Sequence, residues 1–201
     1  MNESATEEVL MLRYQEGDRR AFDALFARLA PLVHGFFLRT FGEPSVADDL
    51  LQTTFLNLHR ARQRYRPDQK LRPWLFAIAA NVRMDELRRR HRIAPAASAE
   101  EIDRALERES LERPVAEPLE EAERSARVRA ALVELPDSQR QVIEMNRYDG
   151  LSFGEIAKAL DISEGACKLR AFRGYETLRS KLAGLSSVPA PAPELARGGR
   201  T

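Results

Sequence analysis

The chain has 201 residues, of which 43% are hydrophobic and 31% are charged, so it can bury one core or two small cores joined by a linker. Its 32 basic and 31 acidic residues leave a formal net charge of +1, which by itself neither indicates nor excludes a polyanionic partner. Cys167 is the only cysteine, which excludes an internal disulfide and a cysteine-rich metal site and fits a reducing compartment.

Residues 1–8 are polar and acidic and lack the basic start and apolar run of a signal peptide. We also expect no segment that is apolar for long enough to cross a membrane. We therefore expect a cytoplasmic protein without membrane insertion.

Residues 9–92 follow a helical pattern almost throughout, and strand-type alternation is not sustained. Breaks are predicted at Gly17-Asp18, Pro31, Gly42-Glu43-Pro44 and Arg66-Pro67-Asp68. Three or more helices packed together would bury three apolar stripes in this block. Trp74 is expected to anchor that core. The stripes are Ala21, Phe22, Leu25, Phe26 and Leu29; Leu50, Leu51, Thr54, Phe55 and Leu58; and Trp74, Leu75, Ile78 and Val82.

Two aspartates, Asp48 and Asp49, precede Gln52 at the predicted start of the second of these helices. The helix dipole favours carboxylates at that end, so simple capping is the preferred reading of this pattern taken alone. Its core face is expected to be Leu51, Phe55 and Leu58, with Asp49 and Gln52 facing outward.

Basic residues crowd the end of the third predicted helix more densely than solubility requires, which indicates phosphate contact. Asn81, on the preceding turns, could hold unstacked bases, although a helix-interior Asn that bonds its neighbours is the alternative. The basic residues and the adjacent histidine are Arg83, Arg88, Arg89, Arg90, His91 and Arg92.

Residues 93–122 break the helical pattern. They hold three prolines and nine acidic residues with few large apolar side chains, which is typical of an acidic linker that can carry a short helix. A second helical block follows, and the tail from residue 186 onward is rich in Pro, Ala and Gly and is predicted to be disordered.

The second block contains a capping box, Ser152-Phe153-Gly154-Glu155, which predicts the start of a helix. Asp161-Ile162 would turn the chain, and Ser163 would cap a second helix from Glu164. This is helix-turn-helix spacing, and a basic second helix suits a major groove, although a solvated basic helix in an ordinary bundle is the alternative. Ile156, Ala157, Leu160, Cys167, Phe172 and Leu178 are expected to pack inward, while Lys168, Arg170, Arg173 and Arg179 are presented outward.

Taken together, the two blocks resemble the extracytoplasmic-function (ECF) branch of the sigma-70 family of RNA polymerase sigma factors. The resemblance covers about residues 15–92 and 131–182. It depends on Gly17-Asp18, Ala21-Phe22, Asp49-Leu50-x-Gln52-x-x-Phe55, Trp74-Leu75-x-x-Ile78-Ala79-x-Asn81-x-x-x-Asp85-x-x-Arg88-Arg89, Leu135-Pro136, Arg140 and Glu155-Ile156-Ala157. Family members usually have a hydroxyl residue at the position of Ala166 and a small polar residue at Leu169.

The resemblance implies an all-α fold of two small helical domains joined by an acidic flexible linker, the second being a four-helix helix-turn-helix domain. The expected parts are sigma region 2 (9–92), the linker (93–122), which would thread the polymerase RNA channel, sigma region 4 (123–182) and a disordered tail (183–201). The middle sigma domain of housekeeping members is missing, which fits promoters that need two good elements.

The resemblance also implies three partners: core RNA polymerase through its β′ clamp helices and β flap, promoter DNA, and an anti-sigma factor. No metal or other cofactor is expected. The implied contact residues are Asp48, Asp49, Gln52 and Phe55 for polymerase; Lys70, Arg72, Asn81, Arg88, Arg89 and Arg92 for the −10 element; and Glu164, Lys168, Arg170 and Arg173 for the −35 element.

Two other classes of protein compete with this interpretation. A stand-alone helix-turn-helix regulator would use the second block on a palindrome and the first as a sensor or dimerising domain, but the 74–92 stretch argues against it. An enzyme is not expected, because the chain has no phosphate loop, dinucleotide glycine pattern or zinc-protease motif, and its three histidines are dispersed.

Overall fold

The computed structural model describes residues 5–93 and 119–183. Within these ranges the protein is helical and has no β-strand, so the all-α prediction is confirmed. The helices are α1 (Glu7–Gln15), α2 (Arg19–Phe41), α3 (Pro44–Ala61), a 3-10 turn (Arg62–Arg64), α4 (Leu71–Ile93), α5 (Leu119–Val133), α6 (Asp137–Arg147), α7 (Phe153–Ala159) and α8 (Glu164–Lys181).

The chain forms two compact units. The N-terminal unit holds α1–α4, and the C-terminal unit holds α5, α6, α7 through Ala157, and α8. Helix α5 begins at Leu119, inside the predicted linker. The rest of that linker and the predicted tail from residue 184 lie outside the described residues.

Local signals set the boundaries of α2. Asp18 is the N-cap, and its Oδ1 accepts hydrogen bonds from the backbone N–H groups of Arg20 and Ala21 at 3.0 and 3.3 Å. Gly42 ends the helix with a φ of 74°, a left-handed conformation that glycine adopts at little cost. The breaks predicted at Gly17-Asp18 and Gly42 are therefore confirmed.

The break predicted at Pro31 is wrong, because α2 continues through it. A proline removes one backbone donor, which leaves the carbonyl of Ala27 without its helical partner. Both Pro31 and Ala27 lie on the exposed side of the helix, where water can satisfy that carbonyl, while Leu29 and Val33 remain fully buried. Burial of the opposite face therefore outweighs the lost hydrogen bond.

The core of the N-terminal unit uses most of the predicted stripes but not all of their members. Phe26 is 40% exposed, and Trp74 is only half-buried and packs against Tyr65 with ring centroids 5.3 Å apart. On α3, Phe55 and Leu58 are buried as predicted, but Leu50 rather than Leu51 completes this core face. The largest fully buried apolar side chains described in this unit are Leu10, Met11, Leu25, Leu29, Phe36, Phe37, Phe41, Leu58, Leu71 and Phe76.

By length and composition α2 is apolar enough to cross a membrane. The expectation that the chain has no such segment is therefore wrong for this helix. Its apolar side chains, among them Leu25, Val33 and Phe37, are buried within the N-terminal unit, as in the core helix of a soluble protein.

The predicted helix-turn-helix forms from α7 and α8. Glu155 accepts a hydrogen bond from the backbone N–H of Ser152 at 2.8 Å, and Ser152 Oγ accepts one from the Glu155 N–H at 3.3 Å, which completes the capping box. Asp161 turns the chain with a φ of 53°, and Ser163 caps α8 by accepting from the Ala166 N–H at 3.1 Å. The local prediction of this motif is confirmed.

Close packing of α8 on α6 depends on a small residue at the contact. A Cβ placed on Gly174 would lie 2.6 Å from Ile143 Cδ1, so only glycine fits without displacing its neighbours. Cys167 and Leu178 are buried as predicted, whereas Phe172 is 53% exposed, which contradicts its predicted packing role, and Leu160 is only half-buried.

Candidate nucleic-acid and protein interfaces

An open groove of about 850 Å³ lies on the N-terminal unit, formed mainly by α2 and α3. Phe26 and Leu56 line it while being 40% and 46% exposed. Phe55 is buried and packs edge-on against Phe26, with ring centroids 4.8 Å apart. The groove therefore presents apolar surface to solvent, which single-chain packing does not require. The residues that line it are Tyr14, Arg19, Phe22, Asp23, Phe26, Asp48, Asp49, Leu51, Gln52, Phe55, Leu56 and His59.

Asp48, Asp49 and Gln52 are exposed beside this groove. Helix α3 begins at Pro44, and its first turn contains no acidic residue, so the capping interpretation of the two aspartates is wrong. A proline at the first helical position has no N–H that needs a partner, which is why the helix starts earlier than predicted. Asp48 Oδ1 lies 3.3 Å from His34 Nε2 on α2, while Asp49 and Gln52 face solvent.

The outer face of α4 carries Asn81, Arg88 and Arg92, all exposed. Their spacing of seven and four residues along the chain places them on one side of the helix. The predicted site thus includes an exposed strip on α4 with the amide of Asn81 at its N-terminal end and two arginines beyond it. Lys70, just before α4, and Arg89 are exposed as well.

Several arginines of α4 are held by carboxylates. Arg88 Nη1 lies 3.3 Å from Asp85, and Arg89 binds Glu86 through two hydrogen bonds of 2.6 and 2.7 Å. Arg90 bridges Glu86 and Glu43 at 2.9 and 2.8 Å and lies over the ring of Phe41. Hydrogen bonds from Arg89 above all, and from Arg90, lower the pKa of the Glu86 carboxyl.

Arg83 does not belong to the exposed basic cluster. It is 1% exposed, and its Nε donates to Thr40 Oγ1 at 3.2 Å. The interpretation of Arg83 as part of a phosphate-binding group is therefore wrong, because it lies on the core side of α4. Its role is to join α4 to the end of α2.

The first helix fixes the start of α4. Glu8 accepts a hydrogen bond from the backbone N–H of Leu71 at 3.2 Å, and Glu7 binds Arg72 through three hydrogen bonds of 2.7 to 3.0 Å. Arg72, predicted to contact the −10 element, is thus already paired within the protein. Sequence reasoning missed Glu7 and Glu8, because their partners lie more than 60 residues away along the chain.

On α8, unlike on the α4 segment just described, some basic side chains have no carboxylate partner within the ranges that the structure describes. Lys168 Nζ lies 2.7 Å from Glu164 Oε1, whereas Arg170 and Arg173 have no ion-pair partner among the residues whose side chains the structure describes, 5–92 and 126–183. Arg173 is exposed and Arg170 half-exposed. The helix is therefore able to offer both guanidinium groups to an anion.

Two further residues have structural roles. Burial raises the pKa of the Cys167 thiol to about 11, so this cysteine is a protonated core residue, as its apolar surroundings indicated. Arg140 is buried; it donates to the Val133 carbonyl at the end of α5 and to Asp137.

No group of His, Cys, Asp or Glu that could hold a metal occurs in the part of the chain that the structure describes.

Two family models match the chain. Sigma-70 region 2 matches residues 25–93, and Sigma-70, region 4 matches residues 125–178. The first match includes α3, α4 and most of α2, and the second includes α6, α7 and most of α5 and α8. The exposed strip of α4 and the helix-turn-helix through Leu178 therefore lie inside matched regions.

Relatives with established names cover most of the chain. RNA polymerase sigma factor CarQ of Myxococcus xanthus is 39% identical over 86% of this chain and 95% of its own length. The ECF RNA polymerase sigma-E factor of Escherichia coli K12 is 30% identical over 90% of this chain and 97% of its own length.

Solved structures agree in fold. CnrH, in complex with the cytosolic domain of CnrY, matches with a TM-score of 0.62 and 25% identity over 90% of this chain and 99% of that chain. The sigma factor RpoE of Bartonella quintana, in complex with the anti-sigma factor NepR, matches with a TM-score of 0.66 and 22% identity over 81% and 97%.

These matches occur in the predicted order along the chain, and they do not favour a stand-alone regulator. The chain belongs to the ECF subfamily of the sigma-70 family and is an RNA polymerase sigma factor for promoter-specific transcription initiation.

Proposed function

We propose that the protein performs initiation through three surfaces, each with one partner. The groove on α2 and α3 binds the β′ clamp helices of core polymerase, the outer face of α4 holds the melted −10 element, and α8 reads the −35 duplex while the C-terminal unit contacts the β flap. The observation that carries the proposal is the exposed row Asp48, Asp49 and Gln52 beside an apolar groove.

The groove has the composition of a protein-binding surface. Phe26 and Leu56 supply apolar contact area, and the aspartates and Gln52 surround it with groups that can pair with basic or amide side chains. Binding energy in protein interfaces concentrates in such apolar centres enclosed by polar residues. Phe55 contributes by supporting Phe26 from below.

The α4 surface suits a single strand. Asn81 offers a donor and an acceptor to the edge of an unpaired base, and Arg88 and Arg92 lie on the same side of the helix to hold the backbone. Lys70 and Arg89 extend this surface. Because Glu7 holds Arg72 by a bidentate pair, we assign Arg72 the role of fixing the start of α4.

The remaining assignments follow from the family. The protein acts in the cytoplasm, catalyses no reaction itself, and is held inactive by an anti-sigma factor until its signal arrives. One solved relative, the sigma factor RpoE, was captured in complex with the anti-sigma factor NepR, which supports the last assignment.

The polymerase surface is tested by replacing Asp49 and Gln52 together with alanine. Both side chains are exposed, so we expect an unchanged melting temperature and a clear loss of core-enzyme recovery in a pull-down. Thr53→Ala is the matched control, since Thr53 is exposed on the same helix and does not line the groove. Full recovery with the double variant would refute the assignment of this groove.

A further inference from the structure

The outward side of α8 carries two large apolar side chains among charged ones. Its buried side is formed by Cys167, Ala171, Gly174, Tyr175 and Leu178. At about 100° of rotation per residue, Leu169 lies opposite the centre of that buried side, and Phe172 and Arg173 lie on either flank of Leu169. Leu169 is 48% exposed and Phe172 is 53% exposed.

Core packing does not explain this pair. A single exposed leucine is ordinary on a protein surface, but here two large apolar side chains lie three residues apart on the most solvent-directed side of one helix. That helix is the second of a helix-turn-helix, the element that enters the major groove. Arg173 lies beside the pair and Arg170 is on the same helix, while Glu176 on the outward side is paired with Arg179.

Thymine is the base whose major-groove edge matches such a surface. Its C5-methyl group is the apolar feature of that edge, and apolar side chains recognise it by contact. An arginine beside them can pair with guanine O6 and N7. A helix with this arrangement would therefore distinguish A·T from G·C pairs by methyl contact and read a neighbouring guanine by hydrogen bonds.

We propose that Leu169 and Phe172 are specificity-determining residues that contact thymine methyl groups in the −35 element, beside a guanine contacted by Arg173. This inference rests on the proposed assignment of α8 to the −35 duplex. It adds the base type and the chemical group that the helix recognises.

The test removes the methyl group alone. Core polymerase with the full chain is bound to a duplex promoter obtained by transcript mapping, and each −35 thymine is replaced in turn by deoxyuridine. We expect the wild-type holoenzyme to lose about fourfold in affinity at the contacted thymines, as the burial of one methyl-sized group implies. Phe172→Ala or Leu169→Ala should bind thymine and uracil equally at the position that each residue contacts.

Controls separate the possible failures. Deoxyuridine outside both promoter elements should change nothing, and Leu169→Met should keep the thymine preference. Arg173→Ala should weaken −35 binding while keeping the thymine-to-uracil ratio. Unchanged melting temperatures of the alanine variants would show that neither side chain is needed for folding.

Three outcomes would overturn the inference: an undiminished thymine preference in both alanine variants, no thymine preference in the wild type, or a −35 element without an A·T pair. If Arg173→Ala also left the −35 preference intact, the assignment of α8 itself would fail. Loss of polymerase recovery in the Phe172 variant, with the thymine preference intact, would instead identify the surface as a protein contact.

Discussion

Helices α4 and α8 both present arginines on exposed faces, but they hold them in different ways. On α4, Arg88 and Arg89 are paired with carboxylates of their own helix, and Arg90 bridges α4 to Glu43. On α8, Lys168 and Arg179 are also paired with glutamates of their own helix, but Arg173 is exposed and has no ion-pair partner among the described residues. The density of arginine in a sequence therefore does not measure the positive charge available to DNA, because neighbouring carboxylates neutralise part of it.

This difference suits the two kinds of DNA that the helices are proposed to bind. A duplex reader needs an arginine that can reach a base edge, and its specificity comes from that contact. A strip that holds a melted strand gains from side chains already fixed in place, because less conformational entropy is lost when the strand binds. Substitutions on the two helices can test whether α4 is a prearranged surface and α8 a surface that reads bases.

The largest effect is expected at Arg173. Replacing it with alanine should remove about 1–3 kcal/mol of discrimination between the correct and an altered −35 base pair, the value of one good arginine–guanine contact. Binding of single-stranded −10 oligonucleotide should not change. The measurement is holoenzyme affinity across a set of −35 variants, and a preserved preference with normal activity would assign the reading to another helix.

A smaller effect is expected at Asn81. Asn81→Ala should reduce the affinity of the holoenzyme for single-stranded −10 oligonucleotide by about 1 kcal/mol, as loss of a typical hydrogen bond implies. Protection of the −35 element serves as the internal control, because α8 is unaltered. Equal binding by wild type and variant would remove Asn81 from the site.

The third prediction concerns stability of the N-terminal unit in acid. The folded state lowers the pKa of Glu86, chiefly through its hydrogen bond from Arg89. This stabilisation is present above the ordinary pKa of glutamate and is lost as the pH falls through the lowered value. Thermal unfolding followed down this range should show a decline that Glu86→Gln reduces; an identical decline in the variant would refute the prediction.

The smallest effect is expected on release of Arg88. Asp85→Asn removes an exposed ion pair of 3.3 Å, which is worth less than about 1 kcal/mol, so folding should be unchanged. Affinity for DNA should rise slightly at a fixed salt concentration. It should also decrease more steeply as salt is added, with a salt dependence that corresponds to up to about one extra phosphate contact. Glu176→Gln, which releases Arg179 on α8, is the matched comparison; no change in salt dependence for either would mean that these arginines do not contact phosphate.

Features set by adjacent residues could be predicted from the sequence. The capping box at Ser152, the turn at Asp161 and the cap at Ser163 were read directly, because each depends on a few neighbouring groups. Helical periodicity likewise predicted the three long helices of the N-terminal unit. The family resemblance supplied the function, because its motifs recur in order along the chain.

Features set by packing and distant partners could not be predicted. Helical periodicity identifies an apolar stripe, but it does not show which residues of the stripe a neighbouring helix covers. Phe26 and Phe172 were therefore predicted to be buried, whereas both are exposed in the structure. The pairing of Glu7 with Arg72 depends on how α1 lies against α4. Burial of Arg83 follows from the rotation of α4 about its axis, and the apolar spacing left that rotation uncertain by about one residue.

The most direct test of the account is transcription in vitro by core polymerase on a genomic library, with and without the protein. The account predicts new transcript starts that share two upstream elements; Arg173→Ala should relax the sequence preference at the upstream element and Asn81→Ala should reduce use of the downstream one. The absence of new starts, together with tight binding of the protein alone to a palindromic duplex, would contradict the account and indicate a stand-alone regulator.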